Sequence, residues 1–309
     1  MHLRTEALAA ALLATVATAG TAAVPAAEAA ALPPLGADTS LLVVAPHPDD
    51  ETLCCGGIVQ RVLHAGGHVS VVWVTSGDAA LVGLLLERAL WNPARARQFG
   101  AQRMAEARAA TARLGVARSG QLFLGYPDRG VLDLLGEYRT TPYRSRTTGA
   151  SAVPYPEALF PGHPYTGASL ERDFAAVLER VQPTLILAPS PQDAHPDHRG
   201  AGLLTIAVSG RRGMLARVRY WIVHGGEGWP SPRGLMAGVP LTPAPRGRGL
   251  APAPFTLLPA EEDDKLHALE AYTTQLRVMA PFLLAFVRTT ELFSTRAAVD
   301  PAALQPPAP

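Results

Sequence analysis

Four polar side chains with clear chemical potential follow a short apolar run near the start of this sequence. Residues 41–45 read Leu-Leu-Val-Val-Ala, a proline comes next, and then come one imidazole and three carboxylates, His47, Asp49, Asp50 and Glu51. An imidazole and a carboxylate three residues apart, here His47 and Asp50, can converge on one point across a strand-to-helix turn. Nitrogen and oxygen ligands of this kind suit zinc. The spacing therefore indicates a metal site with Asp49 as an acid beside the ion.

A second polar cluster, His195-Pro196-Asp197-His198, comes after another apolar run at residues 184–188. His195 and His198 repeat the three-residue spacing, so one can complete a three-ligand site while the other faces a substrate. Three protein ligands with an open fourth position are typical of catalytic zinc, whereas structural zinc sites are closed. One such motif alone is weak, because lone histidines and carboxylates in a first helical turn are commonly structural. Two motifs, each after a strand, indicate a site.

The elements that must position these clusters alternate between apolar strands and amphipathic helices. The sequence predicts strands at 41–45, 68–75, 121–124, 184–188 and 219–223, and helices at 50–65, 95–114, 170–181, 200–209 and 260–278. This alternation predicts an α/β fold with a parallel, Rossmann-like sheet. Ligands bind at the carboxyl edge of the strands in such open sheets, and both clusters are expected there.

The bulk composition fits one large domain. The chain has 309 residues, of which 48% are hydrophobic, and its net charge is +1 without a basic run. The core is therefore ample, and nucleic acid is not an indicated partner. We expect a single α/β domain over residues 30–299, with insertions near 132–168 and 230–259, and a disordered tail at 300–309. The first insertion is interpreted as a wall of the substrate cleft, with a disordered surface excursion as the alternative.

The N-terminus has the pattern of a signal peptide. Arg4 precedes a mostly apolar stretch at 7–17, and Ala27-Glu28-Ala29 is an acceptable cleavage site. An alanine-rich helix of the mature protein is the alternative. The pattern predicts that residues 1–29 are removed and that the mature protein is extracytoplasmic, either periplasmic or secreted. No later stretch reaches about 18 unbroken apolar residues, so no membrane span is expected.

The two cysteines, Cys54 and Cys55, are adjacent in the sequence. A disulfide between neighbours closes a strained ring, so the simpler interpretation is two small apolar side chains in the helix after the first motif. Their side chains diverge on a helix, which disfavours a shared zinc ion.

Taken together, Pro-His-Pro-Asp-Asp-Glu at 46–51 and Ala-His-Pro-Asp-His at 194–198 resemble the two motifs of the PIG-L/LmbE family of zinc-dependent N-deacetylases. Further matches are Gly56-Gly57, Thr75 to Asp78, Arg103-x-x-Glu106 and Gly125 to Asp128. The resemblance implies a three-layer α/β fold with a mostly parallel sheet. It also implies removal of an acetyl group from N-acetylglucosamine-type sugars.

Carried over by motif position, the resemblance implies that His47, Asp50 and His198 bind Zn²⁺. It implies Asp49 as the general base and His195 as the acid or oxyanion stabiliser. The chemistry agrees, because zinc lowers the pKa of bound water to about 7 and polarises a carbonyl. A carboxylate can then carry a proton from the water to the leaving amine. Another divalent ion is the alternative to zinc.

The remaining polar residues are assigned more loosely. Arg103 and Asp128 resemble positions that face the sugar, with a solvated helix face as the alternative for Arg103. Asp197 is expected to orient His195 or a ligand histidine, with a surface or capping role as the alternative. Glu51 is interpreted as an anchor of its loop. His224 is assigned either to the cleft or to the core.

The predicted function is an exported zinc-dependent hydrolase that deacetylates an N-acetylglucosamine-type sugar in a glycolipid, oligosaccharide or glycoside. One alternative is another metal-dependent hydrolase such as a phosphoesterase, which would need more ligands than the two motifs supply. A second alternative is a non-catalytic carbohydrate-binding protein, against which the intact pair of motifs argues. The sequence does not indicate an oligomeric state.

Overall fold

The computed structural model of the chain describes residues 32–80 and 92–297. The predicted signal peptide at 1–29 and the predicted tail at 300–309 lie outside these residues. Within them, the strands are β1 Ser40–Ala45, β2 His68–Thr75, β3 Gln121–Tyr126, β4 Leu185–Pro189, β5 Val218–Trp221, β6 Ala253–Thr256 and β7 Thr290–Phe293. The helices are α1 Asp50–His64, α2 Pro93–Arg113, α3 Val131–Leu135, α4 Gly167–Val181, α5 Pro196–Arg211, α6 Pro259–Leu269 and α7 Thr273–Leu284.

The centre of the molecule is a parallel sheet of five strands in the order β3-β2-β1-β4-β5. Its strands are apolar along almost their whole length, and β3 and β4 are buried at every residue. Burial on both faces is the reason for these continuous apolar runs. β1 and β4 are neighbours at the middle of the sheet, where the direction of the strand order reverses. A crevice opens at that point in doubly wound sheets.

The helices cover both faces of this sheet. α1 and α2 pack with α6 on one face, whereas α3 and α4 pack with α5 on the other. The result is a three-layer α/β arrangement, so the predicted fold class is confirmed. Within the described ranges, no helix has both the length and the apolar character needed to cross a bilayer.

Two helices differ from their predicted bounds in ways that matter for the site. α5 begins at Pro196 rather than at residue 200, with proline in the first turn, where its missing N–H is harmless. The stretch predicted as one helix over 260–278 is two helices, α6 and α7. The chain leaves the helical path before Tyr272, whose side chain is fully buried and donates a hydrogen bond to Glu51. A tertiary contact, which local sequence does not report, accounts for the break.

The 132–168 stretch is ordered and packed rather than a free excursion. It begins with the short helix α3 and then folds back on itself, with backbone N–H groups of Tyr143 and Val153 donating to the carbonyls of Tyr165 and His163. Three of its tyrosines are buried in the core, Tyr143, Tyr155 and Tyr165. The aromatic residues of the 132–168 stretch therefore pack into the core, and the alternative of a disordered surface excursion is wrong.

Two features were not expected from the sequence. The first is the antiparallel pair β6–β7, whose strands are four residues each and lack a clear alternating pattern. The second is a disulfide that joins Cys54 to Cys55 within α1, so the interpretation of two unlinked side chains is wrong. Both cysteines belong to the buried core.

Candidate active site

The two polar clusters meet at the carboxyl edge of β1 and β4. One carboxylate oxygen, Oδ2 of Asp50, lies 3.2 Å from Nδ1 of His47 and 3.2 Å from Nε2 of His198. These three side chains come from segments far apart in the sequence, and all three are buried. The structure thus brings together the three residues predicted as metal ligands.

The surroundings of His198 fit a bound cation. Both of its ring nitrogens are buried and accept or donate no hydrogen bond of good geometry among the described residues. Each nitrogen faces a carboxylate oxygen at 3.2 Å, of Asp50 and of Asp193, and a metal ion at such a nitrogen would give it a direct partner. Burial lowers the pKa of His198, but the Asp50 and Asp193 carboxylates outweigh it and raise that pKa to about 9. The local field therefore favours positive charge.

Ligand atoms within 4.8 Å of one another form three overlapping sets, which are His47 with His195 and His198, Asp50 with His198 and His224, and His47 with Asp128 and Asp197. Imidazole nitrogen and carboxylate oxygen are ligands of zinc and of other divalent transition ions. None of these sets is the predicted trio of His47, Asp50 and His198, so that ligand set stays a prediction. The donor set is compatible with zinc and does not select it over its neighbours in the transition series.

Asp49 lies directly before α1, with a backbone φ of 138°. A positive φ is unfavourable for a residue with a Cβ, and such strain is found mainly at functional sites. Its carboxylate is held by Nη2 of Arg103 at 3.1 Å. Burial raises the pKa of Asp49 to about 7, against the opposing charge of Arg103. A carboxyl group that titrates near neutrality is suited to take up and return a proton.

Arg103 is 3% exposed and lines the cleft, but its guanidinium is engaged by the protein. Nη1 donates to the carbonyl of Gly77 at 2.9 Å, and Nη2 donates to the carbonyl of Pro48 at 2.6 Å. The alternative of a solvated helix face is therefore wrong. Arg103 fixes the loop that carries Asp49, and its contact with a sugar stays a prediction.

Asp128 and Asp197 both lie against His47. Oδ1 of Asp128 is 3.5 Å from Nε2 of that imidazole, and Oδ2 of Asp197 is 3.2 Å from it. Asp197 is fully buried and also accepts hydrogen bonds from the backbone N–H groups of Arg129 and Val131. Of its two predicted roles, contact with a ligand histidine agrees with these distances and a surface position does not.

His195 is half-buried at the start of α5, where its Nδ1 accepts a hydrogen bond from the backbone N–H of Asp197. An accepting Nδ1 places the proton of the neutral ring on Nε2. Burial, together with the rings of His47 and His198, lowers the pKa of His195 far below its ordinary value. The ring is thus neutral and can donate from Nε2, which agrees with the predicted role of oxyanion stabiliser rather than that of acid.

Most of these residues line a cleft with a volume of about 280 Å³, whereas His198 and Asp197 lie fully buried behind its surface. Its walls come from the loops after β1 to β5 and from one side of α7, which contributes Gln275, Met279 and Phe282. Among the described residues that line it, none belongs to 132–168. This cavity is thus lined without that stretch, and its role as a wall of a larger substrate cleft stays a prediction.

Residues 42–209 match the family described as PIG-L, GlcNAc-PI de-N-acetylase. The chain belongs to this family. The matched region contains both polar clusters, and the family predicted from them is confirmed.

Relatives agree with this membership. A 1D-myo-inositol 2-acetamido-2-deoxy-alpha-D-glucopyranoside deacetylase of Kribbella flavida is 28% identical, over 79% of this chain and 86% of its own length. The protein of the same name in Actinosynnema mirum is 30% identical, over 79% of this chain and 83% of its own.

Two solved structures share the fold. A conserved protein from Thermus thermophilus has a TM-score of 0.51 and 22% identity, over 83% of this chain and 94% of its own. A deacetylase triple mutant of the teicoplanin biosynthetic pathway has a TM-score of 0.52 and 19% identity, over 83% of this chain and 97% of its own.

Sequence reasoning did not identify Asp193 of this PIG-L domain as a site residue, and it did not decide between the cleft and the core for His224. Oδ2 of Asp193 lies 3.2 Å from Nδ1 of His198 and accepts hydrogen bonds from the backbone N–H groups of Val223 and His224. An acid five residues before His198 was the available signal, but spacing alone does not show which backbone it will meet. The ring of His224 lines the cleft and stacks on Phe282 at 5.7 Å, so the structure selects the cleft for it.

Glu51 anchors the first loop of this PIG-L domain, as interpreted from the sequence. It is fully buried, and its Oε2 accepts hydrogen bonds from Nε1 of Trp73 at 2.9 Å and from the backbone N–H of Asp49 at 3.2 Å. Its Oε1 accepts from Thr52 at 2.6 Å and also from Tyr272. These bonds connect the loop to the core rather than to a ligand.

Proposed function

We propose that this PIG-L family protein is an exported, metal-dependent N-deacetylase that hydrolyses the acetamido group of an N-acetylglucosamine-type sugar. The observation that carries the proposal is the convergence of His47, Asp50 and His198 beside the strained carboxylate of Asp49. The names of the relatives, which are deacetylases of an inositol-linked acetamido sugar, support the substrate class. Export is proposed from the pattern of residues 1–29 alone.

Hydrolysis of an amide needs an activated water, a stabilised oxyanion and a protonated leaving amine. A divalent cation held by His47, Asp50 and His198 would acidify a water molecule and polarise the carbonyl. Asp49 takes the proton from the attacking water and returns it to the sugar nitrogen as the C–N bond breaks. Neutral His195 donates from Nε2 to the developing oxyanion. Arg103 keeps the carboxylate of Asp49 in place throughout.

Zinc is the proposed ion, because two imidazoles and one carboxylate match the ligand set of catalytic zinc sites. The proposed substrate is an acetylated amino sugar within a glycolipid, oligosaccharide or glycoside. The test is acetate release from a panel of N-acetylated glycans by the zinc-loaded protein. No release from any member, at full zinc occupancy, would overturn the proposal.

The Asp49→Asn variant sharpens this test. Because the new amide cannot accept the proton of the water while the three ligands are untouched, we expect kcat to fall by roughly 100-fold to 10,000-fold. Zinc content, measured by elemental analysis, should stay at the wild-type value. His47→Ala is the matched control, since it removes a ligand and should lower zinc content as well. Full turnover by Asp49→Asn would exclude Asp49 as the base.

Metal counting separates this function from a two-metal phosphoesterase. The further ligand sets that contain Asp128, Asp197 and His224 give such an enzyme more donors than the sequence indicated. A deacetylase with one ion in its site should bind about one zinc per chain and release no phosphate from an aryl phosphate. Two ions per chain together with phosphate release would favour the phosphoesterase.

A further inference from the structure

The turn after β2 serves two residues of the site at once. The carbonyl of Gly77 accepts a hydrogen bond from Nη1 of Arg103 at 2.9 Å. Two residues later, the backbone N–H of Ala79 donates to Oδ2 of Asp128 at 2.8 Å. A shift of this turn would therefore move both the guanidinium that holds Asp49 and the carboxylate that lies against His47.

The side chain of Asp78 points from this turn into the protein interior. It is fully buried, and its Oδ2 accepts hydrogen bonds from the hydroxyls of Tyr155 at 2.6 Å and Ser76 at 2.9 Å. Its Oδ1 has no partner among the described residues. Burial, and after it the charge of Asp128, raises the pKa of Asp78 to about 7. Burying a carboxyl group costs folding free energy, so a buried one beside the site indicates a functional role.

Tyr155 packs against two glycines, and the absence of their side chains lets its hydroxyl reach Asp78. Its ring is 3% exposed and lies between Gly100 of α2 and Gly125 of β3. A Cβ at Gly125 would be 3.1 Å from Cδ2 of Tyr155, and a Cβ at Gly100 would collide with its hydroxyl. Two elements of the core thus leave room for Tyr155, and Gly125 leaves room for Val153 of the same stretch as well.

We propose that Asp78 and Tyr155 are positioning residues for the catalytic groups of this site. Neither residue lines the cleft. Tyr155 fixes Asp78, Asp78 fixes the turn at 76–79, and the turn fixes Arg103 and Asp128. Through these contacts the 132–168 stretch helps to fix the position of Asp49, although Tyr155 itself does not line the cleft. The catalytic part of this proposal rests on the proposed deacetylase function, whereas the positioning part does not.

The chain offers a matched pair of tyrosines for the test. Tyr126 is also buried, and although its backbone pairs with Thr75, its hydroxyl donates to Oδ2 of Asp173 in α4 at 2.8 Å and not to the turn. Tyr155→Phe and Tyr126→Phe each remove one hydroxyl that donates to a buried carboxylate. We expect Tyr155→Phe to lower kcat by roughly 10-fold to 100-fold with KM and zinc content nearly unchanged, since a small misplacement of a catalytic group has effects of this size. Tyr126→Phe should leave kcat within about twofold of wild type.

A second arm tests whether the two residues act as one unit. If Tyr155 works through Asp78, the effects of Tyr155→Phe and Asp78→Asn on kcat will not add in the double variant. Additive effects, or equal losses of kcat in the two tyrosine variants, would overturn the proposal and assign Tyr155 to general stability.

A third arm does not depend on turnover. Hydrogen exchange of the full chain should become faster at residues 46–52 and 76–80 in Tyr155→Phe and should stay unchanged there in Tyr126→Phe. If the wild-type protein releases no acetate, the proposed function fails, and this exchange comparison still decides the positioning role. Unchanged exchange in Tyr155→Phe would overturn it.

Discussion

The loop after β1 and the loop after β4 each lead to a histidine predicted to bind the metal, but the two loops are held in different ways. The first loop is anchored by one acid, Glu51, mainly to side chains of the core, those of Trp73 and Tyr272. The second loop is anchored by two acids, Asp193 and Asp197, mainly to backbone N–H groups of neighbouring loops.

The difference has a consequence for how each loop responds to change. An anchor bound to packed side chains fixes its own loop and adds to the stability of the core. An anchor bound to the backbone of other loops fixes the relative position of three strand ends. We therefore expect the first anchor to govern folding stability and the second to govern the geometry of the metal ligands.

The largest effect is expected for Glu51→Gln. The new amide group would place N–H donors against the Trp73 indole or the Tyr272 hydroxyl, leaving buried donors without acceptors. Such a loss costs about 2–4 kcal/mol of unfolding free energy. Denaturant unfolding of the variant and wild type measures it. A matched control is Glu157→Gln, because Glu157 is an exposed acid, and its change should stay within about 0.5 kcal/mol. Equal unfolding free energies for the two variants would contradict the claim that the Glu51 anchor governs folding stability.

A smaller effect on stability, but a clear one on the metal, is expected for Asp193→Asn. The amide oxygen can still accept from the backbone N–H groups of Val223 and His224, which share Oδ2 of Asp193, but the neutral group no longer stabilises the imidazole of His198 by charge. Loss of such an orienting partner lowers metal affinity by about 10-fold to 100-fold. Competition with a chelator of known affinity measures this change. The comparison would break if Glu51→Gln weakened zinc binding as much as Asp193→Asn did.

Much of this organisation could be predicted from local sequence. The five strands of the parallel sheet are mainly apolar runs, and α1 ends just before a Gly-Gly pair, so their bounds differ little from those predicted. The residues predicted as ligands could be singled out because a metal imposes residue types and spacing. Asp49, His195 and their neighbours lie where two strands of one sheet end, which the parallel topology alone requires.

The parts that could not be predicted depend on contacts between distant segments. Nothing near Tyr155 in the sequence shows that its hydroxyl will meet Asp78, and nothing near Tyr272 shows that it will interrupt a helix to reach Glu51. A motif gives the position of Arg103 but not the partners of its guanidinium, so its bonds to the carbonyls of Gly77 and Pro48 were not predicted. The backbone N–H groups that Asp193 holds became visible only in the fold.

The smallest effect is expected for His224→Gln, and it separates two functions of one residue. The backbone N–H of His224 donates a hydrogen bond to Asp193. The ring of His224 stacks on Phe282 and lies near Asp50 and His198. Replacing the ring leaves the backbone bond in place, so zinc affinity should stay within about threefold of wild type, far from the change expected at Asp193. Because the ring lines the cleft, KM for the sugar should rise severalfold while kcat holds. If zinc affinity instead fell as far as in His47→Ala, the ligand set would be Asp50, His198 and His224, and the first loop would supply one ligand rather than two.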